Sequence, residues 1–363
     1  MDPDHDNRKF LPDEIIITDN KIRTVCKLYY QSNSPLKLTA IKNKFLIYQK
    51  SIDPPLPVGV EPVKTKEYAN KKFRGHSLGE FVSILGEDRI SILPFEGCEH
   101  WTIGAQCKFC GANPKRLSFR KFKHDTCDIC TYHQNYDLWW NDKKDFLLSG
   151  ITKAVVSIAK STDICPHKHL MILSGGLLNN DFVWRICLDI ARIVNEHLQL
   201  SKIDSYINLI PPSDNDYLIE AKKLGFKSIC FNLEVFGKED FIQTCPGKQR
   251  VYGYDNFIES FRYTSKLMGK GKVRNNFVLG IQDIKKVMEG VNFLSDLGIV
   301  SDYSVFYPRP GSVMSKHKLT DPNLVLDFTR FLAKNYQRYQ FKPFCCPLSS
   351  RSSLINDILA TEA

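Results

Sequence analysis

The sequence predicts an α/β fold in which six strands alternate with helices. Three observations support this prediction: short apolar runs typical of strands, longer segments with helical periodicity between them, and connections that are mostly short. Strands separated by helices pair in parallel through right-handed crossovers. Six such units fit either a doubly wound sheet or a sheet curled into a barrel.

The alternation begins near residue 89 and continues to about residue 336. Glycines close two of the helices, as is usual at the carboxyl end of a helix. The predicted strands are 90–95, 169–173, 205–210, 228–235, 276–280 and 302–307, and the predicted helices are 145–160, 181–196, 215–224, 255–268, 284–297 and 323–336. Two further strands, 13–18 and 44–49, are predicted in the amino-terminal region.

Composition limits the class of protein. The chain has 363 residues, of which 43% are hydrophobic, which is enough for one large core with appendages or for two modest domains. Its acidic, polar start is no signal peptide, and no apolar run approaches the roughly 20 residues of a membrane span. We therefore expect a soluble, cytoplasmic protein that does not bind membranes.

The formal net charge is +10, which could favour nucleic acid or a phosphorylated substrate. Much of the excess lies in two short clusters, residues 64–74 and 115–123. Neither cluster forms part of a known nucleic-acid-binding module. A solvated surface is the favoured interpretation, with nucleic acid kept as a less favoured partner.

Three cysteines directly follow the first predicted strand. Cys98, Cys107 and Cys110 have the spacing Cys-x8-Cys-x2-Cys. Three thiolates can hold three irons of a 4Fe-4S cluster and leave the fourth iron without a protein ligand. A competing interpretation is a zinc site, because Cys127 and Cys130 form a second pair that is separated from Cys110 by sixteen residues.

The stretch Cys107-Lys108-Phe109-Cys110 resembles the cluster loop of radical S-adenosylmethionine (SAM) enzymes, which ends in Cys-x-aromatic-Cys. The first gap, eight residues here, is commonly three in that superfamily. The resemblance implies a partial (β/α)6 TIM-like barrel with amino- and carboxyl-terminal extensions. It also implies that the open iron binds the amino acid end of SAM and that Phe109 packs beside the cofactor.

Residues at the carboxyl ends of the predicted strands extend the resemblance. Ser174-Gly175-Gly176 resembles the glycine motif that accepts hydrogen bonds from the SAM amino group, although Leu177 stands where an acidic residue often follows. Asn232-Leu233-Glu234 resembles the motif of the biotin synthase-like branch that holds the SAM ribose and methionine portion. In isolation, a tight turn and a pair of structural hydrogen bonds would explain the two motifs.

Two weaker matches follow the fifth and sixth strands. Gly280 and Tyr307 lie in segments that resemble the backbone platforms around the adenine of SAM. Arg309 could neutralise a carboxylate or could cap a surface. The arginine that relatives carry after the fourth strand has no clear counterpart, since Arg250 and Arg262 both miss the expected position.

Two further pairs of cysteines have separate interpretations. Cys187 and Cys230 lie in apolar patterns and are predicted to be core residues. Cys127 and Cys130 are either reduced thiols or a second metal site completed by other ligands; the candidates for these are Cys345, Cys346, His124 and His133.

The resemblance implies a complete activity. The chain would divide into an accessory region (1–88), the radical SAM partial barrel (89–336) and a barrel-closing tail (337–363). It would cleave SAM reductively at the cluster, and the 5'-deoxyadenosyl radical would abstract hydrogen from a small organic substrate in a biosynthetic reaction. A flavodoxin or ferredoxin-type protein would donate the electron. The alternatives are a radical SAM enzyme that modifies RNA, which the charge suggests, and a non-catalytic zinc-ribbon binding protein.

Overall fold

A curled sheet of seven strands is the centre of the structure, a computed structural model. It describes residues 13–18, 23–28, 34–41, 44–49, 58–95, 97–112, 135–161, 169–343, 349 and 351–362. The strands lie in the order β14-β13-β12-β11-β10-β9-β8. Neighbours from β9 to β14 are parallel, and only β8 is antiparallel to β9. The strands are β8 (Ser83–Leu85), β9 (Arg89–Ile92), β10 (His169–Leu173), β11 (Asp204–Asn208), β12 (Ser228–Cys230), β13 (Val273–Leu279) and β14 (Val300–Val305).

This strand order decides between the two sheets that the sequence allowed. Each strand from β9 to β14 pairs with the next strand in the chain, so the order never reverses. A doubly wound sheet needs such a reversal, because right-handed crossovers reach its second face only when the direction of strand addition changes. Crossovers in one direction place all helices on one face, and the sheet therefore curls into the partial barrel predicted by the resemblance.

The helices cover the outer face of this sheet. Several are preceded by a polar N-cap residue whose side chain accepts a hydrogen bond from the first turn, such as Asn179 and Asp321. The helices are α1 (Leu78–Phe81), α2 (Tyr136–Ala159), α3 (Asn180–Leu198), α4 (Asp216–Leu224), α5 (Lys238–Thr244), α6 (Pro246–Val251), α7 (Tyr254–Met268), α8 (Ile284–Asp296), α9 (Pro322–Tyr339) and α10 (Ile355–Thr361). None of the helices in the described part of the chain is long and apolar enough to cross a bilayer.

Alternation along the strands separates an outer core from an inner chamber. Ile172 and Ile207 belong to the large core between helices and sheet, as do Phe231 and Phe277. Their sequence neighbours point the other way, and Met171, Tyr206 and Cys230 form a small inner cluster. Period-two alternation thus gives the barrel one apolar face for the helices and one face for a chamber.

Two smaller sheets precede the barrel. The first has five antiparallel strands in the order β2-β1-β5-β4-β3, and the second pairs β6 with β7. These strands are β1 (Glu14–Thr18), β2 (Arg23–Lys27), β3 (Leu36–Ile41), β4 (Lys44–Gln49), β5 (Val58–Pro62), β6 (Lys72–Phe73) and β7 (His76–Ser77).

The amino- and carboxyl-terminal segments meet at the turn between β8 and β9. The Glu14 carboxylate accepts a hydrogen bond from Gly86 N at 2.8 Å. The buried Ser349 hydroxyl donates to Asp88 Oδ1 at 2.6 Å. A β-bridge also joins Cys26 to Arg351. Segments far apart in the chain therefore contact the same turn at the β8 edge of the barrel.

A bulge interrupts the fourth barrel strand. Regular pairing of β12 with β13 ends at Cys230, opposite Arg274, and resumes in one bridge between Glu234 and Phe277. Between these two pairings the chain after β12 advances four residues, whereas β13 advances three. The extra residue leaves the Leu233 N–H without a backbone partner. The Asn275 side chain accepts that hydrogen bond at 2.9 Å. The bulge turns Glu234 to a φ of 73°, in the left-handed region.

The structure differs from the predicted elements in several places, of which three affect the site. The predicted strand 228–235 ends at Cys230 because of the bulge, so Asn232 and Glu234 do not share a face of a regular strand. Helix α2 begins at Tyr136, nine residues before the predicted start, because the Asn135 side chain caps it and Trp139 packs into the core. The short helices α5 and α6 were not predicted.

We predict that Asn275→Ala destabilises the protein by about 1–3 kcal/mol, because it leaves the buried Leu233 N–H without an acceptor. Urea denaturation followed by circular dichroism measures the change. Asn276→Ala is the matched control, since Asn276 lies on the same strand but is half-buried and faces the chamber. An equal loss in both variants would contradict the role of Asn275 in the bulge.

Candidate functional site

The three cysteines lie together in the loop after β9. Cys107 is 9% exposed, and Cys98 and Cys110 are half-buried. Burial, with the nearby Cys107 and Cys110, raises the pKa of Cys98 to about 12. Burial also raises the pKa of Cys110, against the opposing positive charge of Arg309. The loop therefore brings the three sulfurs close enough to interact electrostatically.

Backbone hydrogen bonds hold this loop against two other parts of the barrel. Lys108 N donates to Thr244 O at 2.9 Å, and Met314 N donates to Lys108 O at 3.0 Å. Inside the loop, Ala105 N donates to His100 O at 2.8 Å. The cysteines are therefore positioned by segments that follow β12 and β14, which the sequence does not reveal.

The glycine turn after β10 lets the loop approach the sheet. A Cβ at Gly175 would lie 1.8 Å from Gly97 O, and one at Gly176 would lie 2.9 Å from the His100 ring. The Gly176 carbonyl accepts a hydrogen bond from Glu99 N at 2.8 Å. Both glycines are therefore required by a close approach to the cysteine loop, a structural reason that adds to their predicted role in binding SAM.

A buried carboxylate fixes the beginning of the loop. Glu99 is 4% exposed and accepts hydrogen bonds from Tyr136 Oη at 2.7 Å and from Leu178 N at 2.9 Å. The first partner begins helix α2 and the second follows the glycine turn. Glu99 therefore connects the cysteine loop to the start of helix α2 and to the segment that follows the glycine turn.

A buried ion pair lies beside the cysteines. Lys248 Nζ contacts Glu234 Oε1 at 2.7 Å and the Asn232 carbonyl at 2.7 Å. Burial, the largest single effect, would lower the pKa of Lys248, but Glu234, Cys107 and Cys245 together raise it above the ordinary value. Both charges also act on Cys107. The pair thus places a fixed cation and a fixed anion next to the cysteine loop.

Sequence reasoning missed Lys248. The resemblance predicts an arginine after the fourth strand, but Arg262 lies on α7 next to Glu259. A usable signal was present, because Pro246 occupies the first turn of α6 and proline is favoured there. A helix starting at Pro246 would have placed Lys248 in its first turn, next to the end of β12.

The other predicted site residues make contacts within the protein. Phe109 is partly buried and packs against the main core. Ser174 Oγ donates to the Gly175 carbonyl at 3.0 Å. Arg309 packs its side chain over Gly111, where an added Cβ would lie 2.9 Å from it. Gly280 has a φ of 105°, and a Cβ there would lie 2.0 Å from Thr320 Oγ1, so packing already requires a glycine.

The donor atoms of the site fit an iron–sulfur cluster and a bound cofactor. Within the described residues, no three His, Cys, Asp or Glu side chains are arranged to hold a single metal ion. A cubane distributes its thiolate ligands over separate iron corners, so it does not need that close arrangement. Three buried atoms of the loop also lack hydrogen-bond partners among the described residues: His100 Nε2, Trp101 Nε1 and Gln106 Oε1. Such atoms usually bind a ligand or water.

Some predicted ligands cannot be placed. Cys127, Cys130, Cys345, Cys346, His124 and His133 lie outside the described residues. The second metal site therefore stays a prediction. Of the two predicted core cysteines, Cys187 packs in the outer core, whereas Cys230 is buried in the inner cluster that faces the chamber.

We predict that the metal-free protein loses stability as the pH falls from about 6.5 to 4. Burial and the nearby Lys248 charge lower the pKa of His100 to about 4, so the unfolded chain binds a proton that the folded chain excludes. Above pH 6.5 His100 is neutral in both the folded and the unfolded chain, so its protonation costs no stability. At pH 4 the free energy of unfolding is lower by about 3 kcal/mol.

Chemical denaturation at a series of pH values measures this loss. His100→Asn should flatten the dependence between pH 6.5 and 4. His197→Asn, at an exposed position of α3, should leave it unchanged. An unaltered slope in His100→Asn would show that other groups cause the pH dependence.

A large cavity elsewhere in the barrel is separate from this site. It has a volume of about 520 Å³ and lies at the amino ends of the strands, lined by His169, Asp204 and Lys227 among others. Functional groups of parallel barrels collect at the opposite, carboxyl ends of the strands, where the cysteine loop lies. We therefore assign the functional site to the cysteine end.

Comparison with known proteins finds a sequence relative and several solved structures, two of which are described below. The chain is 28% identical over 299 residues to bacteriochlorophyllide c C-7(1)-hydroxylase from Chlorobaculum limnaeum, covering 77% of this chain and 67% of that protein. No protein-family model matches the chain.

The structural likenesses are to methylornithine synthase and to a radical SAM methyltransferase from Sphaerobacter thermophilus. The first has a TM-score of 0.48 and 14% identity, covering 70% of this chain and 65% of that one, so the chain spans less than two thirds of that protein. The second has a TM-score of 0.45 and 12% identity, covering 83% and 75%. The chain is thus similar in sequence to the hydroxylase, and its cysteine loop follows the first strand of a curled parallel sheet, as the resemblance to radical SAM enzymes predicts.

Proposed function

We propose that the chain holds a 4Fe-4S cluster on Cys98, Cys107 and Cys110 and uses it to cleave SAM reductively. The observation that carries this proposal is the meeting of three interacting thiols with the buried Lys248–Glu234 pair. When bound, the cluster supplies an electron to the SAM sulfonium, and the resulting 5'-deoxyadenosyl radical abstracts hydrogen from the substrate. The residues of the chain bind, orient and shield these groups.

The fixed charges match the amino acid part of SAM. Lys248 offers an ammonium for the SAM carboxylate, and Glu234 offers an acceptor for the SAM amino group. Each is about one-tenth exposed, so the attraction acts in a medium of low dielectric constant. Gly175, Gly176 and Asn232 supply further polar contacts from neighbouring strand ends, and Gly280 and Tyr307 flank the adenine.

The chamber inside the barrel is the proposed substrate site. Asn208 and Asn276 lie at inward-facing positions of β11 and β13, and Asn232 lies in the bulge that follows β12; all three are half-buried. Ser304 adds a hydroxyl that accepts from Asn276 Nδ2 at 3.1 Å. Amides and hydroxyls both donate and accept hydrogen bonds without carrying charge. This lining supports a small, polar organic substrate.

The reaction class follows from the superfamily. Abstraction of hydrogen from an unreactive C–H bond serves rearrangement, lyase or C–H functionalisation chemistry, and the relative that is named a hydroxylase supports the last of these. A flavodoxin or ferredoxin-type donor would supply the electron. Residues 1–88 and 337–363 would close the barrel around the substrate, since both segments contact the turn between β8 and β9.

We predict about four irons per chain after anaerobic purification, with a reduced-state EPR signal and formation of 5'-deoxyadenosine from SAM and dithionite. The triple variant Cys98→Ala/Cys107→Ala/Cys110→Ala should lose the iron and the product. Cys187→Ala, a buried thiol in the outer core, is the control and should retain both.

Two results would change this conclusion. Eight irons, with four surviving in the triple variant, would indicate an auxiliary cluster at Cys127 and Cys130. One zinc with neither iron nor SAM cleavage would contradict the radical chemistry and support a binding protein.

We predict that Lys248→Met destabilises the protein by about 3–5 kcal/mol, because it leaves Glu234 as a buried unpaired charge. The double variant Lys248→Met/Glu234→Gln should recover most of this loss, because neither buried charge remains. Lys286→Met, in the exposed pair with Asp240, should change stability little.

SAM binding to the iron-loaded protein separates the structural role of the pair from its binding role. Equilibrium dialysis with labelled SAM should show binding at least tenfold weaker in the double variant despite its recovered stability. Binding as tight as in the wild type would assign the pair to stability alone.

A further inference from the structure

The cavity at the amino ends of the barrel strands has no part in the proposed reaction. Its volume is about 520 Å³, and sites for small molecules usually measure roughly 300–1,000 Å³. His169 and Asp204 are the first residues of β10 and β11, and both line the cavity. The cavity therefore enters the barrel from its amino end and has the size of a small-molecule site.

The lining of this amino-end cavity is positively charged. Asp204 is the only carboxylate among the described lining residues, whereas five of them carry a positive charge. Like charges around one concave surface produce a field that attracts and concentrates anions. The cavity is therefore suited to a negatively charged ligand. The five cations are Lys227, Lys270, Lys272, Arg274 and Lys342.

Backbone hydrogen bonds hold the loops that carry these lysines. Lys270 and Lys272 lie on the turn between α7 and β13. Gly271, between them, donates its N–H to Gly298 O at 2.8 Å. Lys227 lies directly before β12, and its N–H donates to the backbone of β11 at 3.0 Å. The lysines are thus presented by ordered backbone, which reduces the entropy that a ligand must remove on binding.

An aromatic pair forms another wall of the cavity. Tyr339 and Phe341 both line it, and their rings stack with centroids 5.5 Å apart and 17° between their planes. Lys270 Nζ lies 5.9 Å from the centre of each ring. A cation at that distance is attracted to an aromatic face. The contact therefore helps to order the long Lys270 side chain at the cavity.

A layer of side chains separates the cavity from the chamber at the cysteine end. Tyr206 lines the cavity and also belongs to the inner cluster with Met171 and Cys230. The Tyr206 hydroxyl donates to Met171 Sδ at 2.6 Å. Asn208, which lines the chamber, lies two residues further along β11. The cavity is therefore distinct from the proposed site for SAM and substrate.

The number of cations indicates the chemical class of the anion. A carboxylate carries one negative charge, which would match one of the five cations. A phosphate group carries about 1.5 to 2 negative charges at pH 7, and lysine ammonium groups commonly bind phosphate.

We propose that the amino-end cavity is a binding site for a small molecule that bears at least two phosphate groups. This inference does not depend on the cluster or on SAM cleavage.

Isothermal titration calorimetry of the full chain with inorganic pyrophosphate tests the proposal. We expect one site per chain and weaker binding of inorganic phosphate. Lys270→Ala/Lys272→Ala should weaken pyrophosphate binding by about tenfold or more, because two of the cations are lost. Lys270→Arg/Lys272→Arg keeps both charges and should retain most of the affinity.

The matched control is Lys316→Ala/Lys318→Ala. These two lysines are also exposed and have the same spacing, but they lie in the segment after β14, at the opposite end of the barrel. Their removal should leave pyrophosphate binding unchanged. Circular dichroism checks that every variant is folded. ADP, titrated in the same way, distinguishes a nucleotide from an inorganic polyphosphate, since tighter binding than that of pyrophosphate would show that the cavity also holds the nucleoside.

Four results would overturn the inference. One is a wild-type protein that does not bind pyrophosphate. Another is undiminished binding in a folded Lys270→Ala/Lys272→Ala variant, which would place the anion elsewhere. Equal losses in the two alanine variants would show a general attraction to a basic surface. A single-stranded RNA oligonucleotide that binds more tightly than pyrophosphate, and more weakly in both alanine variants, would indicate a nucleic-acid surface instead of a small-molecule site.

Discussion

The ion pair between Lys248 and Glu234 is the interaction on which the site depends. Two opposite charges are buried together next to Cys107, and each would be costly there without the other. The pair joins helix α6 to the end of β12, and α6 also packs on the cysteine loop. Electrostatics therefore fixes the distance between the fourth strand and the loop that follows the first strand.

The bulge in β12 makes this pair possible. A regular strand would direct alternate side chains to opposite faces and keep its hydrogen bonds with β13. Here the strand ends at Cys230, Asn275 accepts the hydrogen bond of Leu233, and Glu234 takes a left-handed conformation. A non-glycine residue in that conformation is strained, and such strain is common where a fold supports function. The carboxylate thereby reaches Lys248.

The outer and inner faces of the barrel carry different kinds of side chain. Large apolar side chains such as Ile172 and Phe277 point outward and pack under the helices, which supplies the stability of the fold. Inward positions near the cysteine end carry asparagine and serine, which contribute little to hydrophobic burial. The inner face thus offers polar groups to a ligand, at the end of the barrel where loops from several strands meet.

The sequence alone determined the six α/β units, because apolar periodicity and helix caps are local signals, and it predicted Cys98, Cys107 and Cys110 from their spacing. It could not choose between a doubly wound sheet and a partial barrel, since strand order depends on pairing between distant segments; the resemblance supplied that choice. Only the tertiary structure brought Lys248 to Glu234 and helix α6 to the cysteine loop. Those contacts join segments far apart in the chain, and no local pattern encodes which distant side chains will meet across a buried interface.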